Sequence, residues 1–317
     1  MSDLKLFQLD ANRTTELQPQ SAQVERSLQA LFEANLDSLL GIRFLASEYS
    51  TGAVHGGRID TLGIDEDGSP VIIEYKRSLN ENVINQGLFY LDWLMDHQKE
   101  FQWLVMDKLG HEVAQSVEWS SPRLICIAGD FTRYDGHAVK QINRNVELLR
   151  YRRFGDDLLM IELVHAPKRT VRDTTRHAPR EAEAARANAT PKAPTDIYQS
   201  QRIDYRLTNA SAELRDVWEA ASDFLNALGD DVQAVELKYY VAFKRIKNFA
   251  CLELYPSVRT VAAYLRLSPD TVLIEPGFTR DVRKIGHFGT GDLEVVMRSL
   301  DDVAKAHSLF QRAYERG

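Results

Sequence analysis

Gly57-Arg58-Ile59-Asp60-Thr61-Leu62-Gly63-Ile64, then Asp65-Glu66-Asp67-Gly68-Ser69-Pro70, then Val71-Ile72-Ile73-Glu74-Tyr75-Lys76-Arg77, decide how this chain folds. The outer runs are short, apolar and β-branched and the middle is turn-forming, so they read as two strands of a hairpin. With the turn centred on Asp67 and no bulge, residues whose numbers share one total face each other, and Asp60 stands opposite Glu74. Side chains opposed in this way have Cβ atoms about 4.5–5.5 Å apart, and like charges there repel. Alternation puts Glu74 and Lys76 on one face of their strand and Tyr75 on the other. Two carboxylates and an ammonium, flanked by Leu62, Ile64 and Ile72, suit a hard divalent cation such as Mg²⁺, which takes one or two carboxylates and keeps waters that substrate phosphates replace. The same charges also suit an ordinary ion network on a solvated sheet.

Before the hairpin, Val24, Leu28, Leu31, Phe32, Leu36 and Leu39 recur at helical spacing, predicting one amphipathic helix from Ser21 to Leu39 with Glu25 and Gln29 one turn apart beside its stripe. Residues 1–19 hold no clear period. Gly41 ends the helix, Ile42–Tyr49 reads as a strand, and residues 50–57 read as a glycine-containing loop with His55 close to the acids. After the hairpin a helix runs from Val83 to Asp96, with Gln86 and Tyr90 as i, i+4 neighbours. Helix Gln98–Val117, strand 124–128, a helix near 137–144 and strands 146–151 and 158–164 follow. This order implies a mixed sheet with helices packed on it.

The chain has 317 residues, 44% hydrophobic and 27% charged, which is ordinary for a globular protein with room for two domains. Its net charge of −7 argues against coating nucleic acid through bulk charge, while leaving local phosphate contacts open. Two distant cysteines, Cys126 and Cys251, show no metal-type spacing and fit a reducing cytoplasm. No membrane span and no signal peptide are expected. The composition divides the chain into residues 1–165, a basic Ala/Arg/Thr/Pro linker over 166–198, and a smaller α+β domain over 199–317. In that last domain Lys244, Arg245 and Lys247 would grip phosphate or line a sheet edge, and no catalytic constellation stands out.

Gly57-Arg58-Ile59-Asp60, Ile73-Glu74-Tyr75-Lys76 and Gln86…Tyr90, preceded by a helix carrying Glu25, resemble the PD-(D/E)XK nuclease superfamily, and within it the NucS-like endonucleases. The resemblance covers residues 20–130. It implies a restriction-endonuclease-like α/β fold, a Mg²⁺- or Mn²⁺-dependent DNA endonuclease, and roles in DNA repair or phage defence. Asp60 and Glu74 become metal ligands, joined by the Tyr75 carbonyl and Glu25. By the same resemblance Lys76 would polarise the scissile phosphate or position water, and Gln86 with Tyr90 would orient substrate or Lys76. Ile59 replaces the proline that names the superfamily, and the amino-terminal DNA-binding domain of NucS proteins has no counterpart. The last domain resembles an uncharacterised module found after such nuclease domains. DNA is the expected partner, no membrane is involved, and a homodimer or a protein or ligand partner at the last domain is compatible with this reading. The competing reading is a catalytically silent nuclease fold that binds nucleic acid or a partner protein.

Overall fold

The computed structural model describes residues 4–20, 25–76, 83–167 and 202–316, and the expected linker falls almost wholly outside them. Two units are present, Met1–Pro167 and Lys168–Gly317. The first is built on a seven-stranded mixed sheet with helices on both faces, and the second on a six-stranded antiparallel sheet with helices.

In the first unit a separate hairpin of β1 (Leu6–Asp10) and β2 (Arg13–Leu17) occupies the segment that showed no period. The main sheet comprises β3 (Pro19–Gln20), β4 (Ile42–Ser50), β5 (Arg58–Asp65), β6 (Pro70–Lys76), β7 (Arg123–Ala128), β8 (Asn145–Phe154) and β9 (Leu158–His165). Its order is β3-β8-β7-β6-β5-β4, with β9 added to β8. β4, β5 and β6 run antiparallel, whereas β6, β7 and β8 are parallel. Parallel neighbours need crossovers, which here are helical. One comprises α4 (Val83–Asp96), α5 (Gln98–Leu109) and α6 (His111–Gln115), and the next is α7 (Arg133–Lys140). Every residue of β7 is buried, as a central strand covered on both sides must be.

The β5–β6 ladder pairs Thr61 with Ile73, Leu62 with Ile72 and Gly63 with Val71, the register expected from the sequence. Its turn is tied from inside. Asp65 Oδ1 accepts from the backbone N–H groups of Asp67 (3.0 Å) and Ser69 (2.8 Å). Asp65 Oδ2 accepts from Arg123 Nη1 at 3.0 Å, and Arg123 grips Glu147 through Nε and Nη2 at 2.7 and 2.9 Å. All three side chains are buried, which joins the turn to β7 and β8.

The helix expected over Ser21–Leu39 is seen as α1 (Glu25–Ala34) and α2 (Leu36–Leu40). Asn35 separates them because its side-chain amide donates to the Leu31 carbonyl at 2.9 Å, an alternative to continuous backbone pairing. Gly110, at φ +93°, divides the expected Gln98–Val117 helix into α5 and α6. The helix expected near 137–144 starts earlier, at a capping box in which Thr132 and Asp135 satisfy each other's backbone N–H groups. The glycine-containing loop includes one helical turn, α3 (Gly52–His55).

In the second unit, α8 (Ile203–Thr208), α9 (Ala212–Asn226) and α10 (Leu300–Arg316) accompany β10 (Gln233–Glu236), β11 (Val241–Lys244), β12 (Asn248–Tyr255), β13 (Thr260–Leu265), β14 (Thr279–Asp281) and β15 (Leu293–Met297). Trp218, Leu225 and Phe310 from the helices pack against Phe249, Leu252, Val261 and Val295 of the sheet. Three-residue β14, whose sequence Thr-Arg-Asp has no apolar member, and short α8 were not read from the sequence. Lys244 is buried, and Arg245 is bound by Asp231 at 2.6 Å and by the Tyr314 ring, so this basic run is largely used within the fold. Among the described residues no helix is long and apolar enough to cross a membrane.

Candidate active site

Asp60 alternates with Leu62 and Ile64, and Glu74 with Ile72, and these apolar residues pack against Ile84, Leu91 and Leu94 of α4. The two acids therefore share the α4 face of the sheet. Asp60 Oδ2 accepts from the Tyr75 backbone N–H at 3.0 Å, and the Asp60 N–H donates to Glu74 Oε1 at 3.2 Å. Each carboxylate is thus held by the main chain of the facing strand. Glu74 is fully buried, whereas Asp60 is half-buried and lines an open cleft of about 690 Å³. Burial, with Glu74 and Asp135 nearby, pushes the Cys126 thiol far up, so it stays protonated beside the acids.

The opposite face is a different environment. Tyr75 is fully buried there, edge-on to Phe32 of α1 at 5.8 Å, with its hydroxyl 3.4 Å from Thr61 Oγ1. Burial raises its phenol's pKa first of all, with Thr61 lowering it and Glu33, Asp60 and Glu74 raising it. Its side chain points away from the cleft, leaving only its carbonyl for the role expected of it. Thr61 Oγ1 donates to Glu33 at 2.6 Å. Gln29, four residues before Glu33 on α1, reaches the Asp60 carbonyl oxygen (2.8 Å), Glu33 (3.0 Å) and Ser47 (3.2 Å), so α1 pins β5 at the residue carrying the half-buried acid.

The cleft also brings together Lys76, Gln86 and Tyr90. The Tyr90 hydroxyl accepts from Gln86 Nε2 at 3.2 Å and from the Arg58 backbone N–H at 3.1 Å, so the i, i+4 pair on α4 holds the start of β5 in place. Gly57 makes this approach feasible, since a Cβ there would lie 2.4 Å from Tyr90 Cε1. Gly57→Ala is expected to destabilise the unit by about 1–3 kcal/mol through overpacking. Combining it with Tyr90→Leu should recover part of that loss, giving a coupling of about 1 kcal/mol or more in a double-mutant cycle followed by thermal melting. Strict additivity would show that the glycine does not matter for this contact.

Arg26, Arg58 and Glu48 complete the cleft walls. Glu48 falls between the paired positions Ser47↔Thr61 and Tyr49↔Ile59, hence across from Asp60, and takes a left-handed φ of +53° that non-glycine residues rarely adopt. It forms an ion pair with Arg58. His55 lies near the rim, its ring 5.5 Å from Phe89 and 5.7 Å from His97.

Of the residues expected from the sequence, Asp60, Lys76, Gln86 and Tyr90 share one cleft and Glu74 lies bonded to the Asp60 main chain. Glu25 begins α1, but its side chain is outside the described residues. Among the described residues no group of three or more His, Cys, Asp or Glu is disposed to hold a metal. Gln29 carries no role among the expectations from sequence, although its spacing from Glu25 is visible there. Glu48 carried no signal, because a left-handed backbone at a glutamate cannot be read from composition.

Residues 203–317 match a family described as a domain of unknown function, DUF5655. Over 315 residues the chain is 26% identical to an uncharacterized protein of Haemophilus influenzae, covering 98% of this chain and 99% of that one. Two solved structures show partial likeness. The EndoMS–dsDNA2 complex gives 20% identity and a TM-score of 0.24, covering 40% of this chain and 44% of that chain. A repair endonuclease from Pyrococcus abyssi gives 19% identity and a TM-score of 0.26, covering 41% and 48%. The chain thus spans less than half the length of either of these two structures.

Proposed function

We propose that the amino-terminal unit hydrolyses DNA phosphodiester bonds with Mg²⁺ or Mn²⁺ as cofactor. The observation that carries this reading is the mutual clamping of Asp60 and Glu74 by each other's strands at a cleft shared with Lys76. Two like charges brought together in this way repel, and a fold that secures both through main-chain bonds fits a cation between them. The donor chemistry also fits, since carboxylate oxygens with a backbone carbonyl are the ligands of a hard divalent ion. Asp60 and Glu74 would hold it, with the Tyr75 carbonyl and Glu25 as further donors. When bound, such an ion supplies Lewis acidity toward a phosphoryl oxygen and makes water a stronger acid.

The chain's own groups supply the rest. Lys76 presents an ammonium to the cleft, where a pentavalent phosphorane-like transition state gathers negative charge. Arg26 gives the cleft wall a cationic group that suits a nucleic-acid backbone, while Arg58 is already paired with Glu48. Gln86 and Tyr90 fix the strand from which Asp60 projects.

The test incubates the full chain with single-stranded, duplex, branched and flapped DNA, and with RNA, in Mg²⁺, Mn²⁺ or EDTA. Cleavage of a DNA form in either metal and none in EDTA is expected. Binding without turnover in both metals, unchanged by Lys76→Ala, would replace this reading with that of a nucleic-acid-binding protein.

A further inference from the structure

The sheet of the second unit has helices α9 and α10 on one face, and its other face carries an unusual polar series. Register aligns Cys251, Tyr264, Glu294 and Arg280 across four strands, and Glu253, Ala262 and Val296 in the next row. Tyr255 donates to the buried Glu253 at 2.8 Å and lies 3.2 Å from the Tyr264 hydroxyl, which donates to Glu294 at 3.3 Å. Glu294 in turn accepts from Arg280 Nε and Nη2 at 2.7 and 2.9 Å. Residues 282–292 fold over this face, where His287 stacks on Tyr264 of the first row with centroids 4.1 Å apart and Phe288 N–H donates to Glu253 of the next row at 3.1 Å.

Beside this covering segment is a cavity of about 630 Å³, within the size range of small-molecule sites, roughly 300–1,000 Å³. Ala262 and Val296 line it with aliphatic carbon, small enough at Ala262 to leave room between larger neighbours. Tyr255 and His287 supply aromatic surface. The Tyr255 hydroxyl is engaged along the carboxylate series, so its ring is fixed and offers mainly its apolar surface, while the Tyr264 ring lies covered by His287.

Charge enters through Arg280 and Arg298. The guanidinium of Arg280 uses two donors on Glu294, and its side chain is 56% exposed. Arg298 uses Nη1 on the Gly277 carbonyl at 2.8 Å. A guanidinium has five N–H donors, so each retains others while already being oriented. The carboxylate opposing them, Glu294, is committed to Arg280 and Tyr264.

We propose that this cavity binds a small, flat aromatic anion, its ring seated over Ala262 and Val296 against Tyr255 and His287, and its carboxylate or phosphate held by Arg280 and Arg298. The site lies wholly in the second unit and does not depend on the nuclease reading.

Isothermal titration of the full chain with adenosine 5′-monophosphate and with 4-hydroxybenzoate separates a nucleotide source from an aromatic carboxylate, with adenosine and inorganic phosphate as the ring alone and the anion alone. At least one anion with a ring should bind more tightly than either part. Arg298→Ala, at an exposed position, should weaken it about tenfold or more. Ala262→Leu, which fills the cavity floor, should abolish it, with thermal melting confirming that both variants remain folded. Failure of both anions at about millimolar concentration overturns the proposal. So does inorganic phosphate binding as tightly as the ring-bearing anions, or retention of binding in folded Ala262→Leu.

Discussion

Asp60→Asn is expected to lower metal-dependent DNA cleavage by about a thousandfold or more, the scale of several kcal/mol of lost charge stabilisation. The substitution is nearly isosteric, and an amide oxygen can still accept the Tyr75 N–H that Asp60 Oδ2 accepts at 3.0 Å. Loss of activity would therefore report loss of charge more than loss of fold. The same change should act oppositely on stability. Without metal, the neighbouring Asp60 and Glu74 carboxylates repel each other, and neutralising one removes that cost. In EDTA the variant should melt at or slightly above the wild type. Mg²⁺ should raise the wild-type transition through binding to the native state, and this increase should be absent in Asp60→Asn. Glu74→Gln should behave alike, keeping its contact with the Asp60 N–H, which is 3.2 Å in the parent. Full cleavage by Asp60→Asn, or a wild type whose melting ignores Mg²⁺, would remove the basis for placing a cation here.

The hairpin was legible because its pattern is local: alternation fixed the faces, the acidic Gly/Pro turn fixed the reversal, and the resulting ladder ends at Thr61↔Ile73, one step before Asp60 and Glu74, which meet through side-chain to main-chain bonds. Gln86 and Tyr90 were legible for the same reason, since helical spacing alone makes them neighbours. Long-range contacts were not. Nothing local shows that Gln29 reaches the Asp60 carbonyl, that Glu48 adopts a left-handed backbone across from it, or that Gly57 must admit the Tyr90 ring. The helix errors are of another kind. Asn35 and Gly110 interrupt apolar patterns that continue past them, and a periodicity argument weights the pattern over the single breaking residue. In the second unit, β14 pairs with β15 through three residues of which one is Arg280, a strand made by its neighbour more than by its own propensity.

Arg123→Ala should be among the most damaging single changes in the first unit, although the residue is remote in sequence from every expected site residue. Burial opposes the charge of its guanidinium, yet Glu147 and Asp65 hold it protonated well above its ordinary range. The bidentate contact with Glu147 and the 3.0 Å contact with Asp65 lie at positions only 1–3% exposed. Removing the cation leaves two acids desolvated without it, a loss of about 3–5 kcal/mol that should lower the unit's melting temperature by about 6–20 °C. Cleavage should suffer as well, because Asp65 also accepts the two N–H groups that shape the β5–β6 turn, and that turn sets the register of Asp60 against Glu74. The comparison that separates charge from packing is Arg123→Met combined with Asp65→Asn and Glu147→Gln. The amide oxygen that Asp65→Asn introduces can still accept from the turn and no net charge remains buried, so the triple variant should melt above Arg123→Ala and recover part of any cleavage activity. A single Arg123→Ala variant melting within about 2 °C of the wild type, where the expected loss is several times larger, would show that the turn is held by its own residues and that the triad contributes little to placing the acids.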